Sequence, residues 1–271
     1  EVEGRASWSK NGRSIYFVGN YGVHSQLAEV DVASRSIKPL TKGQHSLQAW
    51  DFVPAADRHV FVIDEPSRTE AWTLTASGGA PAQVTRVFDA TTTQFALPKQ
   101  ERLEWKGADG VMVEGLLYYP IDYKPGTRYP LVVQTHGGPQ ASDKFALGGW
   151  NSYVQVLTGK GYAVLKPNYR GSTGYGGAFL RDMVGHYFNQ AHLDVMAGVD
   201  HVIKLGVADP GKLVKMGWSG GGHMTNKIIT FTDRFKAASS GAGAANWVSM
   251  YAHSDTRAYR SPCFGATPLE K

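Results

Sequence analysis

Cysteine is nearly absent. One residue, Cys263, stands in a chain of 271, so no disulfide can close within the chain and no C-x-x-C metal pair exists. No His-Glu-x-x-His run offers zinc ligands on a helix face. No metal site and no cofactor are therefore expected. Long apolar runs are missing too, and none nears the roughly 18 residues a membrane-crossing helix needs. Lysine and arginine total 28 against 23 acidic residues, a net +5, but they are dispersed rather than gathered into runs. No nucleic-acid reading motif accompanies them, so the surplus reads as a solvated surface and neither nucleic acid nor membrane is expected as a partner. The glycines at 171–177 lack both G-x-G-x-x-G spacing and a following Gly-Lys-Ser/Thr, which argues against a nucleotide cradle.

What is present is a serine on a glycine-flanked turn. The run Leu213-Val-Lys-Met-Gly-Trp-Ser-Gly-Gly-Gly-His-Met224 takes an apolar strand into Ser219 and then into a helix-compatible stretch. This is the G-x-S-x-G pattern in its strand-turn-helix context. A serine held on a strained turn lifts its hydroxyl clear of the backbone, so the residues two before and two after it must be small. Gly217 and Gly221 meet that demand. Ser219 is then the candidate nucleophile, and the backbone N–H of Gly220 faces the developing oxyanion at a helix start. The competing reading is a serine that only caps the helix.

A second motif lies about 80 residues upstream. An apolar strand at 131–133 ends in His136-Gly137-Gly138-Pro139, where glycine lets the backbone approach a substrate carbonyl and present its N–H. The loop is like the glycine-rich oxyanion loops of esterases and peptidases, and an ordinary strand-end turn is the competing reading. Between the two lies a third strand, Gly161-Tyr-Ala-Val-Leu-Lys166, running into Pro-Asn-Tyr-Arg-Gly-Ser-Thr-Gly-Tyr175.

The first hundred residues read as a repeat. Phe17 and Phe61 are offset by 44 residues, as are Thr41 and Thr85, a spacing suited to four-stranded propeller blades. Short runs such as Ser14-Ile-Tyr-Phe-Val18 and the period-two segment Glu70-Ala-Trp-Thr-Leu-Thr75 supply strands. Asn11-Gly12 is a hairpin signal. The domain reading is a partial β-propeller of about two blades at 1–92 and an α/β-hydrolase domain at 93–271, with residues 91–98 as linker. Within the second domain, Asp109-Gly110 predicts a hairpin. Residues 194–205 predict a crossover helix with Val195, Val199 and Val202 on one stripe. Strands at 213–216 and 235–239 follow, so the fold class is α/β with parallel pairing.

His136-Gly-Gly-Pro139, Asn168-Tyr-Arg-Gly-Ser-Thr-Gly-Tyr175 and Gly217-Trp-Ser-Gly-Gly-Gly222 together resemble the prolyl oligopeptidase family of serine peptidases, in its acylaminoacyl-peptidase and dipeptidyl-peptidase-like branch. The run Thr232-Asp-Arg-Phe-Lys-Ala-Ala238 is similar to it as well. The resemblance implies a propeller ahead of an α/β-hydrolase domain and short peptides as substrates. It also implies that the backbone N–H groups of Gly138 and Gly220 form the oxyanion hole and that Trp247, Met250 and Tyr251 form the wall for the side chain before the scissile bond, although three such residues equally suit ordinary core. The family commonly has a bulkier residue where this chain has Gly220. For Arg170, a structural ion pair competes with a role in anchoring a loop or a substrate carbonyl.

Two expectations concern what is missing. At least three blades are needed for a stable array, and residue 1 is a glutamate inside a blade-like run. The chain is therefore expected to be cut at its N-terminal end. In α/β-hydrolases the triad acid and base follow the serine, yet only 52 residues follow Ser219. His223, Asp233, His253 and Asp255 are assigned to no triad role: His223 reads as packed or surface, Asp233 as a partner of Arg234 or a cap, and Asp255 and His253 as a polar loop. The chain is thus expected to be cut at its C-terminal end as well and to be inactive alone. A carboxylesterase or lipase, or an inactive binding protein on the same fold, are the alternatives. Compartment and homo-oligomerisation stay open.

Overall fold

A computed structural model of the chain describes residues 1–147 and 152–270. The chain divides into two compact units, residues 1–100 with 144–156, and residues 101–143 with 157–271.

In the first unit the short apolar runs become strands and the turn residues reverse them. One sheet holds β1 (Val2–Trp8), β2 (Ser14–Tyr21), β3 (His24–Asp31) and β4 (Ile37–Pro39) in sequence order. A second holds β5 (Ser46–Val53), β6 (Arg58–Asp64), β7 (Thr69–Thr75) and β8 (Ala82–Gln83), again in order. Both are antiparallel throughout, which is the form of two propeller blades. Asn11-Gly12 makes the first reversal, with Gly12 at φ 69° and its N–H donating to the Ser9 carbonyl. Tyr16, Leu27, Phe61 and Leu74 fill the core of this unit.

The 44-residue repeat holds at the level of single hydrogen bonds. Thr41 Oγ1 accepts from the Leu27 amide and donates to Gln26 Oε1. Thr85 Oγ1 accepts from the Ala71 amide and donates to Glu70 Oε2. Each threonine thus closes its sheet by tying the fourth strand's exit back to the third.

Two details differ from the sequence reading. Residues 91–98 are not a plain linker, because the short helix α1 (Asp89–Gln94) occupies part of the segment. The compact units also part at 100/101 rather than 92/93, and residues 144–156 join the first unit. The Phe145 amide donates to the Val23 carbonyl, its ring stacks on His24, and the Leu147 amide donates to Asp64. Such long-range bonds have no local sequence signal.

The second unit is built on one six-stranded sheet. Its strands are β9 (Gln100–Lys106), β10 (Met112–Tyr118), β11 (Tyr129–Thr135), β12 (Ala163–Asn168), β13 (Ala208–Trp218) and β14 (Phe235–Gly241), ordered β14-β13-β11-β12-β10-β9. The helices are α2 (Ser152–Gly159), which crosses the division between the units, then α3 (Gly177–Arg181), α4 (Ala191–Lys204), α5 (Gly220–Phe231), α6 (Trp247–His253) and α7 (Arg257–Phe264). Strands β12, β11, β13 and β14 run parallel, and β10 is antiparallel to β12. Gly110, at φ 87°, turns the β9–β10 hairpin. Val195, Val199 and Val202 of α4 are fully buried beside Leu131, Val133, Leu165 and Leu213. This is the α/β-hydrolase arrangement.

Strand order positions the site. From β11 the chain crosses to β12 on one side and later returns to β13 on the other. The crevice at such a switch point, beyond the carboxyl ends of the two strands, is where open α/β sheets bind ligands. Thr135 and Gly217 are paired at those ends, and His136 and Ser219 follow them.

Candidate active site

Ser219 sits between the last residue of β13 and the first of α5. Its backbone is at φ 57°, ψ −121°, a strained region for a residue with a side chain. A capping serine has extended dihedrals and an Oγ accepting from the helix amides. Ser219 has neither, since its side chain makes no cap bond. The turn is held by backbone instead: the Ser219 amide donates to the Gly241 carbonyl at 2.9 Å, and its own carbonyl accepts from His223 at 3.0 Å. The side chain is left exposed to solvent.

The flanking glycines are dictated by contact. A Cβ on Gly217 would lie 2.3 Å from the Gly221 carbonyl oxygen, and one on Gly221 would lie 2.0 Å from that of Thr135. Neither position has room for a methyl group. Gly220 is different: a Cβ there would meet the backbone of Gly138 at 3.3 Å, tight but not prohibitive.

The 136–139 loop runs directly against this turn. A Cβ on Gly137 would lie 2.9 Å from the Trp218 carbonyl oxygen and 3.1 Å from Ser219 Cβ. Gly138 is at φ 113°, followed by a cis bond to Pro139, a conformation open to glycine. The Gly138 and Gly220 amides donate to no partner among the described residues. Two adjacent, uncommitted N–H groups beside an exposed serine hydroxyl are the elements of an oxyanion site.

The third motif braces that loop. Tyr169 donates to the His136 carbonyl at 2.7 Å and stacks on the His136 ring, whose Nε2 meets Ser172 Oγ at 2.9 Å. Asn168 spans Asp143 with two bonds, accepting from its amide and donating to its carbonyl. Arg170 is committed elsewhere. It forks onto Asp194 and Asp109, chiefly the Asp194 bonds raise its pKa above the ordinary arginine value, and it is a structural ion pair.

Other sequence candidates fall outside this constellation. His223 packs among Tyr187, Phe188 and Trp247, and its Nδ1 donates to the Ala244 carbonyl; burial pushes its pKa down. Of the two readings of Asp233, pairing with Arg234 is not what forms: Arg234 pairs with Asp200 on α4, because the helix presents a carboxylate at bonding distance that sequence proximity cannot reveal. His253 is the last residue of α6 rather than a loop residue.

Trp247, Met250 and Tyr251 are brought together on one cavity of about 280 Å³, completed by Phe264 and Arg260 among others. Asn246 caps α6 by accepting from the Ser249 amide, which fixes the helix that carries all three. Arg260 was not legible in the sequence. It donates through Nη2 to the Gly138 carbonyl at 3.1 Å and through Nη1 to the Tyr187 hydroxyl at 2.7 Å, so a wall of the cavity also holds the glycine loop. A lone arginine 122 residues from its acceptor carries no local signal. Among the described residues, no group of three or more His, Cys, Asp or Glu could hold a metal ion, and no helix is long and apolar enough to cross a membrane.

Residues 149–267 match the Prolyl oligopeptidase family. The chain is 31% identical over 257 residues to the uncharacterized peptidase YuxL of Bacillus subtilis, covering 94% of this chain and 38% of that protein. The solved Pyrococcus horikoshii acylaminoacyl peptidase superposes with a TM-score of 0.88 at 25% identity, over all of this chain and 42% of that one. A solved acylaminoacyl peptidase in complex with Z-Gly-Gly-Phe-chloromethyl ketone gives 0.87 at 25% identity with the same coverage. The chain thus spans about two fifths of the length of these relatives.

Proposed function

We propose, from the membership of residues 149–267 in the prolyl oligopeptidase family, that the whole protein is a serine peptidase acting on short peptides through an acyl-enzyme on Ser219. The observation that carries this reading is the left-handed, uncapped Ser219 with the Gly138 and Gly220 amides beside it. In the proposed reaction Ser219 Oγ attacks the scissile carbonyl carbon while a base takes its proton. The carbonyl oxygen becomes an anion held by the two N–H groups, and collapse expels the amine, which leaves with a proton. Water then attacks the ester and releases the acid.

The cavity at Trp247, Met250, Tyr251 and Phe264 suits an apolar or aromatic side chain before the cleaved bond. The related peptidase in complex with a Phe-chloromethyl ketone supports that preference. Two propeller blades ahead of the hydrolase sheet favour a peptidase over a lipase, whose entrance is set by a lid.

Base and acid are assigned to no residue of 1–271. A serine hydroxyl without a base is a poor nucleophile, so residues 1–271 alone are expected to turn over peptides far more slowly than the whole protein. The test is hydrolysis of an N-blocked peptide amide ending in Phe by the whole protein. Ser219→Ala is expected to lower kcat by on the order of 10⁴-fold or more, with secondary structure unchanged. Undiminished amide turnover by that variant, or cleavage of esters alone, overturns the proposal.

A further inference from the structure

Lys215 is a buried lysine of β13 that the proposed reaction does not use. Its side chain is fully enclosed, and among the described residues no carboxylate faces it. Its Nζ donates to Thr135 Oγ1 at 2.7 Å, to the Met216 carbonyl at 2.8 Å and to Thr225 Oγ1 at 3.1 Å.

The direction of these bonds is fixed by the hydroxyls. Thr135 Oγ1 donates to the Gly221 carbonyl at 3.1 Å, and Thr225 Oγ1 donates to the same oxygen at 2.9 Å. A hydroxyl has one proton. With their protons directed to Gly221, the two threonines offer lone pairs to Nζ, which ties both hydroxyls and the Met216 carbonyl to one side chain. Burial pushes its pKa well below the usual lysine value. A lysine enclosed with neutral partners costs stability relative to an apolar side chain of similar volume. Such a side chain points to a role other than stability.

The network supplies one. It joins the end of β11, which leads into the 136–139 loop, to β13, which leads into Ser219, and to the first turns of α5, which begins with Gly220. The common acceptor is the Gly221 carbonyl, the surface against which the elbow closes at Gly217. We infer that Lys215 is a positioning residue. Acting through Thr135 and Thr225, it fixes the Gly221 carbonyl and so sets the spacing between Ser219 and the Gly138 and Gly220 amides. The inference rests on the reading of Ser219 as nucleophile.

The test compares Lys215→Met, Thr225→Val and Thr225→Ser with the wild-type whole protein. It measures kcat, KM, the rate of Ser219 phosphonylation by a fluorophosphonate, and Tm. Lys215→Met is expected to keep or raise Tm, leave KM unchanged, and slow both kcat and phosphonylation by about 10- to 100-fold, the scale of a misplaced reacting group. Thr225→Val is expected to shift the rates the same way, and Thr225→Ser to restore them. If Lys215→Met does not fold, the two Thr225 variants decide, and equal kcat in both overturns the inference. Equal labelling of wild type and a folded Lys215→Met variant overturns it alone. A wild type that never labels at Ser219 overturns the nucleophile reading and this inference with it.

Discussion

The two units earn their order in opposite ways. In the first, every strand pairs with its neighbour in sequence, and the same threonine clasp recurs 44 residues later between different partners, Gln26 and Glu70. In the second, the adjacent strands β11 and β13 are separated by a crossover to β12, and Thr135 meets Gly221 across 86 residues. Local repetition builds a scaffold whose parts are interchangeable. Non-local convergence builds a site in which single atoms are not. The glycines make the point: Gly12 serves a hairpin and a Cβ there would meet nothing within 4 Å, whereas one on Gly221 would strike a carbonyl at 2.0 Å.

The contrast can be broken or sharpened by substitution. The largest effect is expected from Gly221→Ala. With no room for the methyl, the second unit should lose about 3 kcal/mol or more, read as faster hydrogen exchange in β11 and β13, while β2 and β6 keep their protection. Equal loss of protection in both units would erase the distinction.

Acid should reverse the target. His59 lies fully buried against Tyr16 and Phe52, and burial first of all pushes its pKa from 6.5 to about 4. The fold therefore binds its proton less readily than the unfolded chain does. The stability it contributes is intact above about pH 6.5 and lost as pH falls to about 4, roughly 3 kcal/mol in all. Urea titrations across that range should show the slope, and His59→Phe should flatten it. A slope unchanged by that variant would assign the acid sensitivity elsewhere.

Smaller changes follow. Arg260→Met removes the donor on the Gly138 carbonyl and should lower kcat of the whole protein about tenfold with little change in Tm; a change in KM alone would confine Arg260 to the cavity. Thr85→Ala opens one clasp in the second blade and should cost about 1 kcal/mol without altering the rate at Ser219. A rate loss there would show that scaffold and site are not separable.

The sequence was informative where a constraint is local or periodic. The blades were legible from Phe17/Phe61 and Thr41/Thr85, the crossover helix from Val195, Val199 and Val202, and the elbow from glycines two residues either side of Ser219. What escaped depends on the third dimension. Arg260 reaches Tyr187 and Gly138, 73 and 122 residues away, and Lys215 reaches Thr135, 80 residues away, and residues 144–147 join the blades through bonds to Val23, His24 and Asp64. Arg234 finds Asp200 rather than its neighbour for the same reason.

The most direct measurement is a crystal structure of the whole protein after reaction with a fluorophosphonate. The account predicts one adduct, on Ser219 Oγ, with a phosphonyl oxygen about 2.7–3.1 Å from both the Gly138 and Gly220 nitrogens. An adduct on another residue, or an oxygen on Ser219 that bonds neither amide, would contradict it.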